Sequence, residues 1–316
     1  MFAGLVDHFC RAFRGYPNIV VFELTTKCQL NCSYCARSSL LSQRRFFPSD
    51  MPLELLEQIC QNLAVVKRNI KGIEFAGLGE PLLHGKIDQA LLLIRSRFPN
   101  VPFRLFSNGL VLKAKTDLIL KTLTKSDDKL VVSLNSADAE SYARLNNADY
   151  FNLICENIKA FLKKKDSRPP QTFIQLMGTD RNIRILDRFR RDWQPLLNQN
   201  DHILVAVPEN SGGLISFGSS YSNSSAWPCA QLWDHLVFTS GGDVYPCCVA
   251  RLAGKSVDTL LGSASDLPGI LRGRKLSYLR NCHRLGLANR LKPCASCDMW
   301  RKFGRHHRKF LDRFWL

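Results

Sequence analysis

The sequence predicts an α/β protein in which a parallel partial (β/α)6 barrel is followed by a small α+β domain. Short apolar runs alternate with amphipathic runs about six times between residues 19 and 207, a pattern typical of strands joined by crossover helices. The apolar runs are nearly continuous, which indicates strands covered on both faces. After residue 226 the pattern changes, and Ser240-Gly-Gly-Asp243 with its apolar flanks predicts a hairpin.

The predicted barrel strands follow the apolar runs in chain order. They cover residues 19–24, 72–76, 103–107, 129–135, 172–177 and 202–207. The first helix between strands has apolar residues at helical spacing after Asp50, a capping residue, and Pro52. The later helices are predicted at 86–97, 116–124, 150–163 and near 182–197. In such a barrel the chemistry lies at the carboxyl ends of the strands.

Composition and patterning predict the order of the domains. The predicted segments are an amphipathic helix (1–18), the barrel (19–209), a linker or lid (210–226), the small domain (227–300) and a basic tail (301–316). The linker is predicted from its Ser and Gly content, which is typical of flexible chain. Each boundary is therefore an expectation from local composition alone.

Charge and cysteine usage restrict the class of protein. Lys and Arg number 44 against 27 Asp and Glu, a formal net charge of +17, which favours an anionic substrate, acidic peptide, nucleic acid or lipid surface. No apolar run has membrane length and no export signal is recognisable. We therefore expect a cytoplasmic protein whose twelve cysteines are reduced and available to metal, instead of a disulfide scaffold.

Cys28, Cys32 and Cys35 form a C-x3-C-x2-C motif on the loop that leaves the first predicted strand. Three thiolates at this spacing can hold three irons of a 4Fe-4S cube, leaving the fourth iron open for a substrate or cofactor atom. A structural zinc site would need a fourth ligand nearby, and a disulfide would leave one cysteine over. The spacing therefore indicates an iron–sulfur site.

A second motif, Gly77-Leu-Gly-Glu-Pro81, follows the next predicted strand. Together with the three cysteines it resembles the radical S-adenosylmethionine (SAM) superfamily, in which a Gly-Gly-Glu-like segment meets the methionine ammonium of SAM. The resemblance implies that Gly77, Gly79 and Glu80 bind SAM, since glycine permits close backbone approach and a carboxylate suits a cationic amine. A glycine-rich turn between strand and helix would give the same residues.

The resemblance also points to polar positions around SAM. Tyr34, beside the third cysteine, resembles the family's adenine-contacting residue, and a packed aromatic is the alternative. Asn108, at the third strand end, and Ser133 and Asn135, at the fourth, resemble the positions near the SAM ribose and carboxylate. Ordinary turn chemistry is the alternative for these three, because Asn-Gly is a common turn dipeptide.

A second set of cysteines accompanies the hairpin. Cys229, Cys247, Cys294 and Cys297 resemble the Twitch form of the SPASM domain, in which a hairpin and a later C-x2-C give four thiolates to one auxiliary 4Fe-4S cluster. Full SPASM domains carry a longer cysteine series for two clusters, which this chain lacks. An all-cysteine zinc site built from the same residues is the alternative. The resemblance therefore covers nearly the whole chain.

Five cysteines remain outside the two sets. Cys10, Cys60 and Cys155 fall in helical patterns and are predicted to be small buried hydrophobic side chains. Cys248 is the candidate catalytic residue, as a hydrogen-atom donor to a substrate radical like that of radical SAM epimerases. Cys282 is a second candidate for that role. Burial without a chemical role is the alternative for both.

The resemblance implies a reaction class and its cofactors: SAM, a SAM-binding 4Fe-4S cluster and an auxiliary 4Fe-4S cluster. It also implies a flavodoxin- or ferredoxin-type electron donor. One electron splits SAM into methionine and a 5′-deoxyadenosyl radical, which abstracts a substrate hydrogen atom. The one-cluster size is similar to that of aminocyclitol dehydrogenases in this superfamily. We therefore expect oxidation or epimerisation of a polar, sugar-like or aminocyclitol-like small molecule, with anionic substrates favoured by the charge.

The leading alternative is a peptide maturase that forms a thioether, a carbon–carbon crosslink or an inverted stereocentre. The positive charge would suit an acidic leader peptide, but the segment before the first strand is too short for a leader-binding winged-helix domain. RNA modification rests on charge alone, since no RNA-binding module is recognisable. A zinc-stabilised binding module is the non-enzymatic alternative.

Overall fold

The computed structural model describes residues 17–44, 47–178, 183–215, 228–253 and 259–300. The predicted helix at 1–18, apart from its last two residues, the basic tail at 301–316 and Cys10 lie outside this part of the chain. Two compact units divide the chain. The barrel unit comprises Phe22–Glu57 and Gly72–Pro208, and the second unit comprises Met1–Val21, Gln58–Lys71 and Glu209–Leu316.

The strands of the first half of the chain lie where the apolar runs predict them. They are β1 (Ile19–Phe22), β2 (Gly72–Phe75), β3 (Phe103–Ser107), β4 (Lys129–Ser133), β5 (Gln171–Met177) and β6 (His202–Ala206). Within the barrel unit the order is β6-β5-β4-β3-β2, and every one of these neighbours pairs in parallel. This open parallel sheet confirms the predicted α/β class and is consistent with a partial barrel.

Helices connect these strands. They are α1 (Ala36–Ser42), α2 (Leu53–Leu63), α3 (Ile87–Arg97), α4 (Thr116–Thr122), α5 (Ala139–Asn146), α6 (Phe151–Lys165) and α7 (Ile183–Trp193). Sequence patterning did not predict α1 or α5, which are only 7 and 8 residues long. Such short helices offer few turns in which helical spacing can be recognised. In α5, the Asp138 side chain caps the helix by accepting a hydrogen bond from the Ser141 N–H at 2.8 Å.

The expectation that both faces of every barrel strand are covered holds for β2 but fails at β5 and β6. All of β2 is buried, whereas β5 alternates, with Thr172, Ile174 and Leu176 buried and the residues between them half-buried. β6 stands at the end of the strand order and is exposed or half-buried throughout. The half-buried face of β5 carries Gln175, a polar residue that belongs to the candidate site.

Two buried carboxylates fix the amino-terminal ends of the barrel strands. Asp128, directly before β4, accepts a hydrogen bond from the Phe103 N–H at 2.7 Å and pairs with Arg95 at 2.7 Å. Asp201, directly before β6, pairs with Lys165 at 3.0 Å, and both side chains are essentially inaccessible. Both pairs lie at the end of the sheet opposite the candidate site. Loss of either partner would leave a buried charge uncompensated, so both residues of each pair are needed for the stability of this end.

The second unit contains the predicted hairpin. Its elements are α8 (Gln231–Asp234), β7 (His235–Phe238), β8 (Asp243–Tyr245), β9 (Gly262–Ser263), α9 (Leu267–Arg272) and α10 (Arg274–Arg284). β7 and β8 are antiparallel, with Val237 opposite Tyr245, which confirms the hairpin. β9 adds a further antiparallel strand on β8. The SPASM-like region is thus a small α+β structure.

The described part of the predicted linker is packed structure. The Asn210 N–H donates to Asp298 Oδ1 at 3.0 Å, and the Asp298 N–H donates back to Asn210 Oδ1 at 3.1 Å. A short 3-10 helix follows at Ser211–Gly213, and the Ser296 hydroxyl donates to the Gly212 carbonyl. Through these hydrogen bonds residues 210–215 pack beside the C-x2-C segment. Residues 216–226 lie outside the part of the chain that the structure describes.

Candidate active site

The three cysteines of the first motif lie on the loop between β1 and α1. Cys32 is buried and donates its thiol to Asn146 Oδ1 at 3.1 Å, while Cys28 and Cys35 are half-buried. The Asn108 amide lies 3.7 Å from the Cys28 sulfur. Burial raises the pKa of all three thiols, that of Cys32 to about 12. Metal binding would therefore release protons from this loop.

A buried arginine holds the backbone of this cysteine loop. The Arg37 guanidinium donates to the Thr26 carbonyl at 3.0 Å and to the Leu30 carbonyl at 3.4 Å, bracketing Cys28. Its side chain is buried, and its charge lowers the pKa of Cys28 and Cys35, partly offsetting the effect of burial. Arg37 thus favours thiolates at these positions, a role that the sequence pattern did not reveal.

Asp50 braces the same loop. It accepts hydrogen bonds from the Thr25 hydroxyl at 2.6 Å and from the Gly85 N–H at 3.1 Å, and it pairs with Lys27 at 2.8 Å. The sequence predicts Asp50 as a helix cap, but α2 begins three residues later at Leu53. Its carboxylate instead joins the cysteine loop to Gly85, which follows the Gly-x-Gly-Glu motif.

The Gly77–Pro81 segment docks directly on the cysteine loop. The Leu78 N–H donates to Glu23 at 2.8 Å, and the Glu80 N–H donates to the Lys27 carbonyl at 2.8 Å. A side chain on Gly77, whose φ is +148°, would collide with Glu23, and one on Gly79 would collide with the Thr25 carbonyl. Both glycines are therefore required by close backbone packing. Their predicted contact with SAM stays a prediction.

Glu80 is buried at the carboxyl end of β2. Its carboxylate accepts hydrogen bonds from the Asn108 N–H at 2.6 Å and the Leu82 N–H at 3.2 Å, so it ties β2 to the end of β3. It also caps the 3-10 helix at Pro81–Leu83. Burial raises its pKa to about 7, and hydrogen bonds from Asn108, Leu82 and Ser107 partly offset the increase. Glu80 is thus anchored to backbone, and its SAM contact stays a prediction.

A hydrogen-bonded chain links the other predicted positions. Gln175 on β5 donates to Asn135 Oδ1 at 3.0 Å, Asn135 donates to the Tyr34 hydroxyl at 2.9 Å, and Tyr34 donates to Asn146 Oδ1 at 2.9 Å. Gln175 also lies 3.4 Å from the Ser133 hydroxyl. The structure therefore brings Tyr34, Ser133 and Asn135 together. Sequence reasoning missed Gln175 and Asn146, although Gln175 is a polar residue inside an apolar strand.

The four cysteines of the second set line one cavity in the second unit. Cys229, Cys247, Cys294 and Cys297 are all on its wall, together with apolar side chains such as Leu232 and Val249. Burial and the neighbouring thiols raise the pKa of Cys247 well above its usual value. The Cys294 carbonyl accepts a hydrogen bond from the Trp300 indole at 2.9 Å, which fixes the C-x2-C turn. Four thiols on the wall of one cavity match the number of corners of one cube.

His283 on α10 also lines this cavity and was not predicted. Its Nδ1 accepts a hydrogen bond from the Cys229 N–H at 3.2 Å, and its ring packs edge-on against Trp300 at 5.9 Å between centroids. Burial lowers its pKa to about 4, which keeps the imidazole neutral. A single His in a basic helix gives no sequence signal for such a position.

The sulfur positions of the two cysteine sets do not by themselves form a closed site for a metal ion. Within the described residues, no group of three or more His, Cys, Asp or Glu side chains is arranged so that it could hold a metal ion. The donor sets nevertheless fit iron–sulfur chemistry, with three thiols on one loop and four on one cavity. Ligation by these seven named cysteines stays a prediction.

The remaining cysteines differ in burial. Cys60 is buried as predicted, and Cys282 packs in a buried hydrophobic cluster with Leu279. Cys155 is half-buried instead of buried, because it lies toward one side of α6 while Ile154 faces the core. Cys248 is half-buried. The packing of Cys282 favours its structural role, and hydrogen donation by Cys248 stays a prediction.

Comparison with known families assigns the chain to a class. The profile of the radical SAM superfamily matches residues 22–183, and that of the SPASM iron–sulfur cluster-binding domain matches residues 229–298. The chain therefore belongs to the radical SAM superfamily and carries a SPASM-type region. Its cofactors are accordingly SAM and 4Fe-4S clusters. No helix in the described ranges is long and apolar enough to cross a membrane.

Two curated relatives are GTP 3′,8-cyclases. That of Rhodococcus opacus is 29% identical over 157 residues, covering 49% of this chain and 42% of the relative. That of Corynebacterium glutamicum strain R is 30% identical over 161 residues, covering 49% of this chain and 40% of the relative. The match therefore spans only about two-fifths of the length of these relatives.

Three solved structures share the fold over most of this chain. BtrN in complex with AdoMet and 2-DOIA has a TM-score of 0.56 at 17% identity, covering 90% of this chain and 93% of that one. Native anSMEcpe with bound AdoMet has a TM-score of 0.62 at 15% identity, with coverages of 94% and 95%. Streptococcus suis SuiB bound to precursor peptide SuiA has a TM-score of 0.60 at 15% identity, with coverages of 95% and 74%. At these identities the likeness concerns the fold.

Proposed function

We propose that this radical SAM enzyme oxidises or epimerises a polar small molecule of sugar-like or aminocyclitol-like chemistry. The observation that carries the proposal is that Cys229, Cys247, Cys294 and Cys297 line the same cavity in the second unit. One site with four thiols suits one auxiliary cluster with no open iron, which can exchange electrons but cannot bind SAM. A reaction that removes a second electron from the substrate needs such an acceptor.

The chain's own residues have distinct tasks in this proposal. When bound, the cluster at Cys28, Cys32 and Cys35 supplies the reductive cleavage of SAM, which yields the 5′-deoxyadenosyl radical that abstracts the substrate hydrogen. Glu80 would hold the ammonium of SAM at the end of β2. The Tyr34 and Asn135 pair would shape the side of the site at the end of β4. A flavodoxin- or ferredoxin-type protein would deliver the electrons.

After hydrogen abstraction, two outcomes differ in the number of hydrogens and electrons that the substrate radical gains or loses. In an oxidation, the substrate radical would lose one proton to solvent and one electron, which an auxiliary cluster held by the four cysteines would accept, so the product would have two hydrogens fewer than the substrate. In an epimerisation, the radical regains one hydrogen atom, and Cys248 is the proposed donor. The thiyl radical left on Cys248 would then take up one proton from solvent and one electron, which the flavodoxin- or ferredoxin-type donor would deliver through the auxiliary cluster.

The charge of the chain bears on the substrate. A formal charge of +17 favours a substrate that carries phosphate or carboxylate groups. GTP, named in the activity of the two curated relatives, is an anionic compound that contains a sugar. It therefore belongs in a substrate panel with phosphorylated sugars and aminocyclitols.

Deuterium transfer tests the proposal directly. Anaerobically reconstituted protein with dithionite and SAM would be given each panel member deuterated at its ring carbons, and the 5′-deoxyadenosine would be analysed by mass. We expect deuterium in 5′-deoxyadenosine with at least one small molecule, and a product that has lost two hydrogens or inverted one centre. Transfer from peptides alone would overturn the small-molecule proposal.

A peptide substrate is the second candidate. Two of the fold neighbours, SuiB with precursor peptide SuiA and anSMEcpe with the Cp18Cys peptide, have structures containing peptides. The chain also carries a basic helix, α10, with exposed or half-exposed arginines such as Arg274 and Arg284, which would suit an acidic peptide. The same deuterium assay with acidic peptides distinguishes the two candidates.

A further inference from the structure

His283 occupies a special position on the wall of the four-cysteine cavity. It is 2% exposed and lies in the last turn of α10, on the same cavity wall as Cys229 and Cys294. Its Nε2 is buried and has no hydrogen-bond partner within the described chain. A buried polar atom without a partner is costly, on the order of 1–3 kcal/mol. Such an atom beside a cofactor cavity therefore calls for a partner supplied by the cofactor.

The hydrogen bond at the other ring nitrogen determines where the proton lies. Nδ1 of His283 accepts the Cys229 N–H at 3.2 Å, so Nδ1 carries no hydrogen and the ring cannot be an imidazolium. In a neutral imidazole the single N–H is then at Nε2. The buried Nε2 is therefore a donor.

The same tautomer excludes His283 as an iron ligand through Nε2. A histidine binds metal through a nitrogen that carries no hydrogen, and with Nδ1 already acting as acceptor, ligation by Nε2 would require an imidazolate. The four thiols of the cavity already match the four corners of a cube. His283 is thus suited to donate to the cluster instead of binding it.

We infer that His283 is a positioning residue of the auxiliary centre: its Nε2–H donates a hydrogen bond to a sulfur atom of the auxiliary 4Fe-4S cluster. The inference rests on the proposed four-cysteine ligand set. A donor at sulfur stabilises the more negative, reduced cluster and so raises its reduction potential. On reduction the cluster gains one electron and the proton stays on Nε2, so His283 makes the centre a better acceptor for the electron from the substrate.

The test uses protein that holds only the auxiliary cluster. The parent is the full chain carrying Cys28→Ala, Cys32→Ala and Cys35→Ala, and the measurement is an EPR-monitored redox titration after iron and sulfide analysis. In this parent, His283→Asn keeps an acceptor for the Cys229 N–H and removes the donor at Nε2, so we expect a more negative midpoint potential. His283→Gln places an amide N–H near the Nε2 position, and we expect a midpoint close to that of the parent.

The matched control is His235→Asn. His235 is also buried in the second unit, on β7, but is not on the wall of the cavity, and its replacement should leave the midpoint unchanged. A midpoint for His283→Asn equal to that of the parent, with equal iron content, overturns the assignment of His283. If the parent assembles no cluster, the proposed four-cysteine ligand set is wrong. Failure of the ligand set is therefore distinguishable from failure of the His283 assignment.

A second measurement leaves His283 itself unchanged. In the parent labelled with ¹⁵N-histidine, the hydrogen bond should give a weak ¹⁵N coupling to the reduced cluster in pulsed EPR, and His235→Asn should retain it. Direct ligation would give a strong coupling and would overturn the donor assignment. The absence of any ¹⁵N coupling overturns it as well.

Discussion

The Tyr34 hydroxyl donates to Asn146 Oδ1 at 2.9 Å, and the same oxygen accepts the Cys32 thiol at 3.1 Å. One buried amide at the end of α5 thus holds both the second cysteine of the motif and the aromatic residue beside the third. The Asn146 amide nitrogen donates in turn to the Tyr142 carbonyl at 3.0 Å. The Asn146 oxygen therefore holds two side chains of the cysteine loop, while its amide nitrogen is fixed against the helix that carries it.

The first prediction concerns this amide. Asn146→Ala should lower the free energy of unfolding of the metal-free protein by about 1–3 kcal/mol, because it removes the acceptor of the buried Cys32 thiol and of the Tyr34 hydroxyl. Urea unfolding measures the loss. Asn152→Ala, on the exposed side of α6, is the matched control and should change stability by less than about 0.5 kcal/mol. Equal effects of the two replacements would show that the network adds nothing.

The second prediction concerns the first cysteine set. Replacement of Cys28, Cys32 and Cys35 by Ala should leave a folded protein with about four irons per chain instead of about eight, since the second set would keep its own cube. This variant should form no 5′-deoxyadenosine with dithionite and SAM. If 5′-deoxyadenosine is still produced, the assignment of these cysteines to SAM cleavage is wrong.

The third prediction concerns Glu80. Glu80→Gln should weaken SAM binding by about 1.5–3 kcal/mol, the usual contribution of a hydrogen bond to a charged group. Isothermal titration of the reconstituted protein measures the affinity. Glu57→Gln, which changes an exposed carboxylate paired with Arg97, is the matched control and should bind SAM normally. Unchanged SAM affinity in Glu80→Gln would show that Glu80 does not bind SAM and only holds the backbone through its hydrogen bonds.

The fourth prediction follows from the pKa of Glu80, which burial raises to about 7. The ammonium of SAM prefers the carboxylate, so affinity should fall as the pH drops through 7, by about tenfold between pH 8 and pH 6. Glu80→Gln should lose this part of the pH dependence. An identical pH profile in both proteins would assign the effect to another group.

The same pKa has a consequence for stability with the opposite dependence on pH. The folded-state pKa lies above the ordinary value of 4.5, so below pH 4.5, where the carboxyl is protonated in both states, its ionisation adds no cost to folding. The cost grows as the pH rises toward 7, where the folded carboxyl loses its proton. As the pH rises from 5 to 8, the free energy of unfolding of the wild type should therefore fall relative to that of Glu80→Gln. Urea unfolding of both proteins across this range measures the difference.

The fifth prediction distinguishes the two reaction outcomes through Cys248. In an epimerase, Cys248→Ala should stop product formation while 5′-deoxyadenosine still appears, because the substrate radical receives no hydrogen. In an oxidase the same variant should retain most of its turnover. Cys282→Ala, in the buried cluster with Leu279, is the control and should lower stability without separating the two products. If Cys248→Ala loses 5′-deoxyadenosine and the substrate-derived product equally, Cys248 is needed for the cluster or the fold, and neither mechanistic assignment for it holds.

The sequence by itself determined the class of the protein. The alternation of strand-length apolar runs with amphipathic runs predicted the parallel sheet. Parallel strands are joined by crossover helices, and these helices cover both faces of the sheet. Cysteine spacing predicted an iron–sulfur site because C-x3-C-x2-C leaves one corner of a cube open. Gly77 and Gly79 were recognisable because only glycine permits such close backbone approach, and the structure shows that approach to be onto Glu23 and Thr25.

Only the tertiary structure decided how these groups are held. Asn146 and Gln175 reach Tyr34 and Asn135 across more than one element, and His283 reaches Cys229 from 54 residues away. Hydrogen bonds of such sequence separation leave no periodic or spacing signal, because each depends on how separate elements pack. Local spacing therefore identified the cysteines and glycines, whereas packing alone placed the side chains that orient them.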